Sequence, residues 1–195
     1  MRAEDKAGRV AEVFSKVAAR YDVMNDVMSG GLHRLWKDNL VAKLGPIRGS
    51  TIVDLAGGTG DVSFRILDAL REQRYVPGVE SRLVVCDINA EMLQEGRRRA
   101  GEQGHSAPGV AVEWVQGDAE ALPFPDRSVD ALTIAFGLRN VTRTLPALKE
   151  VRRVLRRGGR FLCMEFSQER PARPSLTRFS HATHLRRTTN APKAP

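Results

Sequence analysis

The sequence is poor in cysteine, in histidine and in the spacings that bind metals. It holds two cysteines and four histidines in 195 residues. Both cysteines, Cys86 and Cys163, fall in predicted buried strands. This placement indicates reduced core thiols of an intracellular protein and excludes a small disulfide-stabilised secreted domain. The scattered histidines show no ligand spacing, so no metal site is predicted.

Apolar runs are also short. None approaches the roughly 18 residues that a membrane-spanning helix needs. The first residues lack the apolar core of a signal peptide, and Glu4, Asp5 and Glu12 argue against an intact transit peptide, so no targeting segment is expected there. With 42% hydrophobic and 28% charged residues, the composition is that of a globular protein with one full core.

The net charge of +8 is concentrated at one end of the chain. From residue 168 onward, six basic residues accompany a single acidic one, which leaves a nearly neutral body. A neutral body with a basic tail is not a basic groove, so no nucleic-acid partner is predicted. The tail is rich in Arg, Pro, Ser and Thr without periodicity, a composition that predicts disorder over 168–195.

A glycine-rich turn stands between a β-branched run and a helical pattern in residues 51–61. Gly57, Gly58 and Gly60 have no side chains, so the backbone there can turn tightly and approach a ligand closely. The helix that follows begins with free N–H groups that suit a polar or anionic ligand. A plain strand–turn–helix corner is the alternative, and three glycines in four positions favour the ligand-binding interpretation.

Two nucleotide patterns compete for this turn. The dinucleotide pattern G-x-G-x-x-G fits poorly, because Ser63 stands where the last glycine is required. The S-adenosylmethionine (SAM) pattern D-x-G-x-G-x-G fits better, with Asp54, Gly58 and Gly60 in place and Ala56 at the first glycine. We therefore predict SAM as the cofactor, with an NAD-binding oxidoreductase as a remote alternative.

Five apolar strands alternate with helical patterns along the chain. The strands are expected at 51–55, 83–86, 110–115, 129–136 and 160–166. Because they are almost wholly apolar, they are expected to be buried on both faces of a doubly wound parallel α/β sheet in the order 3-2-1-4-5. The last helix is expected to stop at Gly158-Gly159, and Asn89 is expected to cap the helix that it precedes.

Polar residues follow the ends of the first four predicted strands, namely Asp54, Asp87, Asp118 and Arg139. The carboxyl ends of parallel strands meet at one edge of the sheet. Ligands of such sheets bind at that edge, where the strand order reverses. We therefore expect the four residues to converge on one crevice.

Each residue of this crevice suits one part of SAM. An acidic residue at the end of the second strand accepts hydrogen bonds from both ribose hydroxyls, and Asp87 occupies that position. Asp118 is placed to accept from the adenine amino group, with the Ala119 backbone N–H facing a ring nitrogen. Thr59 offers a hydroxyl and an N–H in the turn, whereas Asp54 is interpreted as a structural tie of the glycine loop.

The first 45 residues are predicted to form a helical cap on the sheet. A helix is expected at 5–19, and an aromatic and Met-rich segment at 21–36 leads into a second helix that ends at Leu44. Two interpretations stay open: helices joined by a glycine hinge that pack on the sheet, or a mobile lid over an apolar substrate. The predicted domains are a cap or lid at 1–45, a SAM-binding core at 46–167 and a basic tail at 168–195.

The chain from Val13 to Ser167 resembles the ubiquinone/menaquinone biosynthesis C-methyltransferases. The resemblance covers about four fifths of the chain and rests on five motifs. They are Tyr21-Asp22-x-Met24-Asn25 with Ser29, His33 and Trp36; Asp54 to Asp61; Cys86-Asp87-Ile88-Asn89; Gly117-Asp118-Ala119-Glu120; and Phe136-Gly137-Leu138-Arg139-Asn140-Val141. One departure is Arg156-Arg157, where the family has Lys followed by Pro.

The resemblance implies a class I SAM-dependent methyltransferase, Rossmann-like in fold, that methylates a ring carbon of a 2-methoxy-6-polyprenyl-1,4-benzoquinol in ubiquinone synthesis. It implies catalytic roles for Arg139 and Asn140 and substrate contacts for Tyr21, Met24 and His33. A guanidinium holds its proton too tightly to act as a base, so Arg139 is interpreted as the cation that stabilises the developing phenolate. Asn140 would orient the quinol oxygen, and no metal is required.

The resemblance further implies a multi-subunit coenzyme Q synthesis complex, peripheral membrane association and a homodimer. It places the chain on the matrix side of the mitochondrial inner membrane, or in the cytoplasm of a bacterium. No resemblance is expected beyond Gln168, so a truncated chain that lacks the usual C-terminal strands is expected. Strand 160–166 would then be an exposed apolar edge, and a catalytically weak SAM-binding subunit is the alternative to an active enzyme.

Overall fold

The computed structural model describes residue 29 and residues 31–166. The predicted helix at 5–19, the residues Tyr21 and Met24, and the tail at 168–195 lie outside the described residues. The four helices are α1 (Leu32–Leu44), α2 (Asp61–Arg71), α3 (Ala90–Glu102) and α4 (Thr144–Val154). The five strands are β1 (Thr51–Leu55), β2 (Ser81–Asp87), β3 (Val110–Gln116), β4 (Val129–Ala135) and β5 (Leu155–Met164).

All neighbouring strands pair in parallel, in the order β3-β2-β1-β4-β5. The predicted α/β class and strand order are confirmed. Successive side chains of a strand point to opposite faces, and both faces of the central strands are buried and mostly apolar. Ile52 and Leu83 pack with α1 and α2 on one face, whereas Val53 and Val84 pack with α4 on the other.

Local signals in the sequence explain where two helices begin. Asn89 caps α3, since its side chain accepts hydrogen bonds from the N–H groups of Glu91 and Met92, as the sequence predicted. Gly60 precedes α2 with φ +87°, a left-handed conformation that favours glycine. The turn that reverses the chain between β1 and α2 is therefore fixed by residue type at its last position.

The junction of α4 and β5 differs from the prediction. The helix ends at Val154, and β5 begins with the next residue, so Gly158-Gly159 lies inside the strand and does not stop the helix. Leu155 already has extended backbone angles and pairs with Val129 of β4. A register shift follows in β4 between Val129 and Ala131, and Gly158 takes φ +84° opposite it. The two glycines therefore lie in a β-bulge of β5 and do not end α4.

β5 is the last strand of the described sheet, as expected for an edge. Its first six residues include Arg156, Arg157 and Arg160, which makes that part of the edge charged instead of apolar. Cys163, predicted to be buried, is half-buried because it belongs to this edge strand, whereas Cys86 of β2 is fully buried. Of the described helices, none combines the length and apolar character needed to cross a membrane.

Candidate functional site

A cavity of about 230 Å³ opens at the carboxyl ends of the central strands. Its wall includes the turn after β1, the residues that follow β2 and β3, and the end of β4. This is the edge of the sheet at which the strand order reverses, because β1 lies between β2 and β4. The predicted crevice is therefore present, and the cavity is the candidate site.

Asp87 ends β2 and is held by two backbone groups. Its Oδ2 accepts a hydrogen bond from the Gly58 N–H at 2.9 Å, and its Oδ1 accepts one from the Asn89 N–H at 2.9 Å. A carboxylate has about four acceptor positions, so capacity for a ligand remains. Burial raises the pKa of Asp87 above its ordinary value, and the backbone N–H groups around the carboxylate counteract part of that rise.

Asp54 lies deeper, below the glycine turn. Its Oδ2 accepts a hydrogen bond from the Ser63 hydroxyl at 2.7 Å, and its Oδ1 accepts one from the Thr133 hydroxyl at 2.9 Å. The side chain is 1% exposed, and this burial raises its pKa to about 6 against the opposing effect of the two hydroxyls. Asp54 thus ties α2 and β4 to the end of β1 and also lines the cavity.

The glycines of the turn have different surroundings. Gly58 has φ +53°, and a Cβ there would lie 3.0 Å from Met92 Cε, inside the cavity wall. Gly60 faces away from the cavity, and a Cβ there would lie 2.8 Å from the Trp114 ring. The absence of side chains at Gly58 therefore leaves room for a ligand, whereas Gly60 permits close packing of α2 on β3 and does not line the wall.

The first glycine of the nucleotide pattern is replaced by Ala56, which takes φ +53°. This conformation is unusual for a residue with a side chain. The Ala56 side chain lies against Gly137, where an added Cβ would come within 2.5 Å of it. The departure from the pattern is thus accommodated by a glycine on the loop after β4.

The remaining predicted cofactor residues also lie in the cavity wall. Thr59 is 3% exposed and lines the cavity together with Asp118 and Ala119. The Asp118 carboxylate accepts a hydrogen bond from the Glu120 N–H at 2.8 Å, which fixes the loop after β3. The structure therefore brings together six of the seven residues predicted for cofactor binding, Gly60 being the exception.

The two residues predicted to be catalytic point in different directions. Asn140 lines the cavity, whereas Arg139 does not belong to its wall. The Arg139 guanidinium lies 2.5 Å from Glu165 Oε1 and about 5.5 Å from the ring centres of Phe136 and Phe166. Arg139 is thus part of an aromatic cluster at the edge of the sheet, next to the cavity.

Of the three predicted substrate residues, one belongs to the described part of the chain. His33 of α1 is 3% exposed, and its backbone N–H donates to the Ser29 hydroxyl at 3.3 Å. It does not line the cavity. Among residues 29 and 31–166, no three His, Cys, Asp or Glu side chains gather as a metal site.

The prediction missed a charged pair in the cavity wall, formed by Lys37 of α1 and Asp61 of α2. Lys37 Nζ lies 2.6 Å from Asp61 Oδ2, and Lys37 is 5% exposed. A signal for it existed in the sequence, because Lys37 falls at helical spacing among His33, Leu40 and Leu44 on the buried face of α1. A lysine on an apolar helix face indicates a buried partner.

Comparison with known proteins places the chain among methyltransferases. The model of the ubiE/COQ5 methyltransferase family matches residues 2–184. The expectation that the resemblance ends at Gln168 was therefore wrong, because the basic tail was judged by its composition alone. The chain is 54% identical over 172 residues to the mitochondrial 2-methoxy-6-polyprenyl-1,4-benzoquinol methylase of Oryza sativa subsp. japonica, covering 84% of this chain and 58% of that protein.

A bacterial relative is similar to the same extent. The ubiquinone/menaquinone biosynthesis C-methyltransferase UbiE of Paracoccus denitrificans is 56% identical over 165 residues, covering 85% of this chain and 62% of that protein. The chain thus spans about three fifths of the length of these curated relatives. The crystal structure of a SAM-dependent methyltransferase from Aquifex aeolicus shares the fold, with a TM-score of 0.55 at 20% identity over 71% of this chain and 68% of that one.

Proposed function

The chain belongs to the ubiE/COQ5 methyltransferase family, and from this premise we propose that it binds SAM in the cavity and methylates a ring carbon of a polyprenylated benzoquinol. The names of the relatives, a benzoquinol methylase and a ubiquinone/menaquinone biosynthesis C-methyltransferase, support this substrate class. The observation that carries the proposal is Asp87, a half-buried carboxylate of the cavity wall that accepts a hydrogen bond from the N–H of Gly58 in the glycine turn.

The residues of the wall fit the cofactor by their chemistry. Asp87 retains acceptor capacity for two ribose hydroxyls, and Asp118 with Ala119 offers an acceptor and a donor for the adenine ring. A Cβ at Gly58 would lie 3.0 Å from Met92 Cε in the same wall, so glycine keeps this part of the wall free of a side chain. Apolar side chains such as Met92 complete the wall and suit the flat face of a base.

When bound, SAM supplies an electrophilic methyl group. The protein's part is to hold the quinol carbon in line with that methyl group and to stabilise the negative charge that develops on the neighbouring oxygen. We propose that Asn140, which lines the cavity, donates to that oxygen and orients the ring. We assign Arg139 an electrostatic role beside the cavity, where Glu165 and the two aromatic rings hold its guanidinium.

We also propose that the polyprenyl tail leaves the cavity on the side of α1. Leu32 and Leu35 of α1 and Phe166 after β5 are exposed apolar residues, and Phe166 packs on Trp36 and Phe136. Exposed apolar surface of this kind suits a lipid chain or a membrane surface. Tyr21, Met24 and His33 remain proposed substrate contacts.

The relatives suggest where the protein works. The Oryza protein is named mitochondrial and the Paracoccus protein is bacterial, so we propose the mitochondrion or the bacterial cytoplasm. Because the proposed substrate is lipid-soluble, we infer peripheral association with the inner membrane on its matrix side in the mitochondrial case. Membership of a multi-subunit coenzyme Q synthesis complex and a homodimer remain proposals of the same kind.

Calorimetric titration with SAM tests the proposal. We expect micromolar binding by the unmodified chain and a loss of about a hundredfold or more in Asp87→Ala, because two charge-assisted hydrogen bonds of roughly 1.5–3 kcal/mol each are removed. Asp68→Ala removes an exposed carboxylate of α2 that pairs with Arg71 on the surface, and serves as the matched control.

Equal SAM affinity of Asp87→Ala and the unmodified chain would exclude the proposed cofactor site, provided that thermal unfolding shows both to be folded. Transfer of a labelled methyl group from SAM to a 2-methoxy-6-polyprenyl-1,4-benzoquinol then tests turnover. Binding without turnover would favour the alternative of a SAM-binding subunit over an active enzyme.

A further inference from the structure

The cavity wall contains a charged pair on the side of the sheet that the adenosine contacts do not use. Lys37 and Asp61 belong to α1 and α2, and α1 packs against α2, β4 and β5. Asp87 and Asp118 follow β2 and β3, on the other side of β1. Lys37 therefore faces the cavity from the β4 side of β1, whereas Asp87 and Asp118 face it from the β2 side.

Lys37 has hydrogen-bonding capacity that the described part of the chain leaves unused. An ammonium group carries three N–H donors, and within the described residues its one hydrogen-bond partner is Asp61, at 2.6 Å. The side chain is 5% exposed. A buried cation is stable where its donors are paired. The remaining N–H donors of Lys37 therefore favour an acceptor group on a ligand in the cavity.

Asp61 holds this ammonium group at the wall. Its Oδ1 accepts a hydrogen bond from Arg65 Nε at 3.1 Å, and Arg65 also pairs with Asp38 of α1. Burial tends to raise the pKa of Asp61, but the Lys37 and Arg65 charges outweigh it and hold that pKa below its ordinary value. The carboxylate therefore stays ionised, and Lys37 keeps a fixed partner.

We propose that Lys37 binds the α-carboxylate at the methionine end of SAM, with Asp61 as the residue that positions the ammonium group. The inference rests on the proposed SAM site. SAM carries adenosine at one end and an amino-acid group at the other. With adenosine at Asp87 and Asp118, the amino-acid end extends past the glycine turn toward α1, where Lys37 offers a complementary charge.

The test compares SAM with decarboxylated SAM, which lacks only the carboxylate, by calorimetry on the full chain. We expect the unmodified chain to bind SAM about tenfold to a hundredfold more tightly, the effect of one charge-assisted hydrogen bond. In Lys37→Met the affinity for SAM falls to that for decarboxylated SAM, while the affinity for decarboxylated SAM changes by less than about twofold. Lys43→Met, an exposed lysine of the same helix, should retain the full preference for SAM.

Two results would overturn the inference while leaving the SAM site intact: equal affinity of the unmodified chain for the two compounds, or an equal loss of both affinities in Lys37→Met. Binding of neither compound by the unmodified chain would instead refute the SAM site, and this inference with it.

Removing Lys37 alone leaves Asp61 beside Arg65 without its second cation, so Lys37→Met could unfold. The double variant Lys37→Met with Asp61→Asn removes both charges and provides a second folded test. It should bind the two compounds equally, and a retained preference for SAM would overturn the inference.

Discussion

A carboxylate in the core of the sheet gives the site a pH-dependent component. Asp54 is fully buried between two hydroxyls, and its pKa of about 6 lies above the ordinary value of 3.8. The folded state therefore takes up a proton as the pH falls toward 6, whereas the unfolded chain does so near 4. Stability from this group is full below pH 4 and is lost as the pH rises through 6.

Asp54→Asn is expected to remove this dependence. Because the carboxylate is charged above pH 6 in a buried site, the free energy of unfolding of the variant should rise relative to that of the unmodified chain by about 2 kcal/mol between pH 4 and pH 7. Urea unfolding of both proteins at several pH values in this range measures the difference. Asp68→Asn, which changes an exposed carboxylate, should show no such trend, and a pH-independent difference for Asp54→Asn would contradict the prediction.

Residues at strand ends were predictable, whereas residue pairs across elements were not. Asp87 and Asp118 follow strands that the sequence marks clearly, so their place in the crevice follows from the parallel sheet. Lys37 and Asp61 are 24 residues apart on two helices, and nothing local in the sequence pairs them. The direction of the Arg139 side chain was unpredictable for the same reason, since Glu165 follows β5 and lies 26 residues further along the chain.

The contact between α3 and β3 depends on a glycine in the middle of the helix. A Cβ at Gly96 would lie 2.6 Å from Trp114 Cη2 and 2.9 Å from the Thr59 carbonyl oxygen. Gly101, the second-last residue of the same helix, has nothing within 4 Å. Substitutions at these two glycines therefore distinguish the cost of crowding the helix–sheet contact from the gain in helix propensity.

Gly96→Ala is expected to destabilise the protein by about 1–3 kcal/mol, because the methyl group overpacks the helix–sheet contact. Gly101→Ala should instead leave stability unchanged or raise it by up to about 1 kcal/mol, as alanine is the better helix former. Chemical denaturation at constant pH measures both. Equal effects of the two substitutions would show that Gly96 is not needed for close packing.

At the scale of elements, hydrophobic runs identified the strands but not every boundary. The sequence marked β1 to β4 because parallel strands buried on both faces are continuous apolar runs. It failed at β5, where the strand begins with Leu155 and three arginines instead of an apolar run. Pairing with β4 decides the backbone conformation there, and Gly158-Gly159 was mistaken for the end of a helix.

At the scale of the whole molecule, a ligand in this cavity would contact residues from both sides of β1, those after β2 and β3 and those at the end of β4. Binding to the folded state alone should stabilise it by about 2.7 kcal/mol at a hundredfold excess over Kd. For a chain of this size, the expected rise in Tm is roughly 5–10 °C. A thermal melt with SAM measures it, with NAD at the same concentration as the comparison.

We expect NAD to leave the Tm unchanged, and Asp87→Ala to show no rise with SAM at the concentration used for the unmodified chain. A rise with NAD equal to that with SAM would contradict the assignment of the cavity to a methyl donor. It would favour the alternative in which the glycine turn binds a dinucleotide.

The position of β1 in the sheet sets the order in which the chain can fold. Gly58 meets Asp87 of β2 across 29 residues, whereas Asp54 meets Thr133 of β4 across 79. Closing the longer loop costs more conformational entropy, and a chain leaving the ribosome presents β2 and β3 before β4. A nascent chain that ends at β3 can therefore pair β1 with β2 while the other edge of β1 stays open. We therefore expect the cavity wall to be complete only when β4, whose end lines it, has been synthesised and docked.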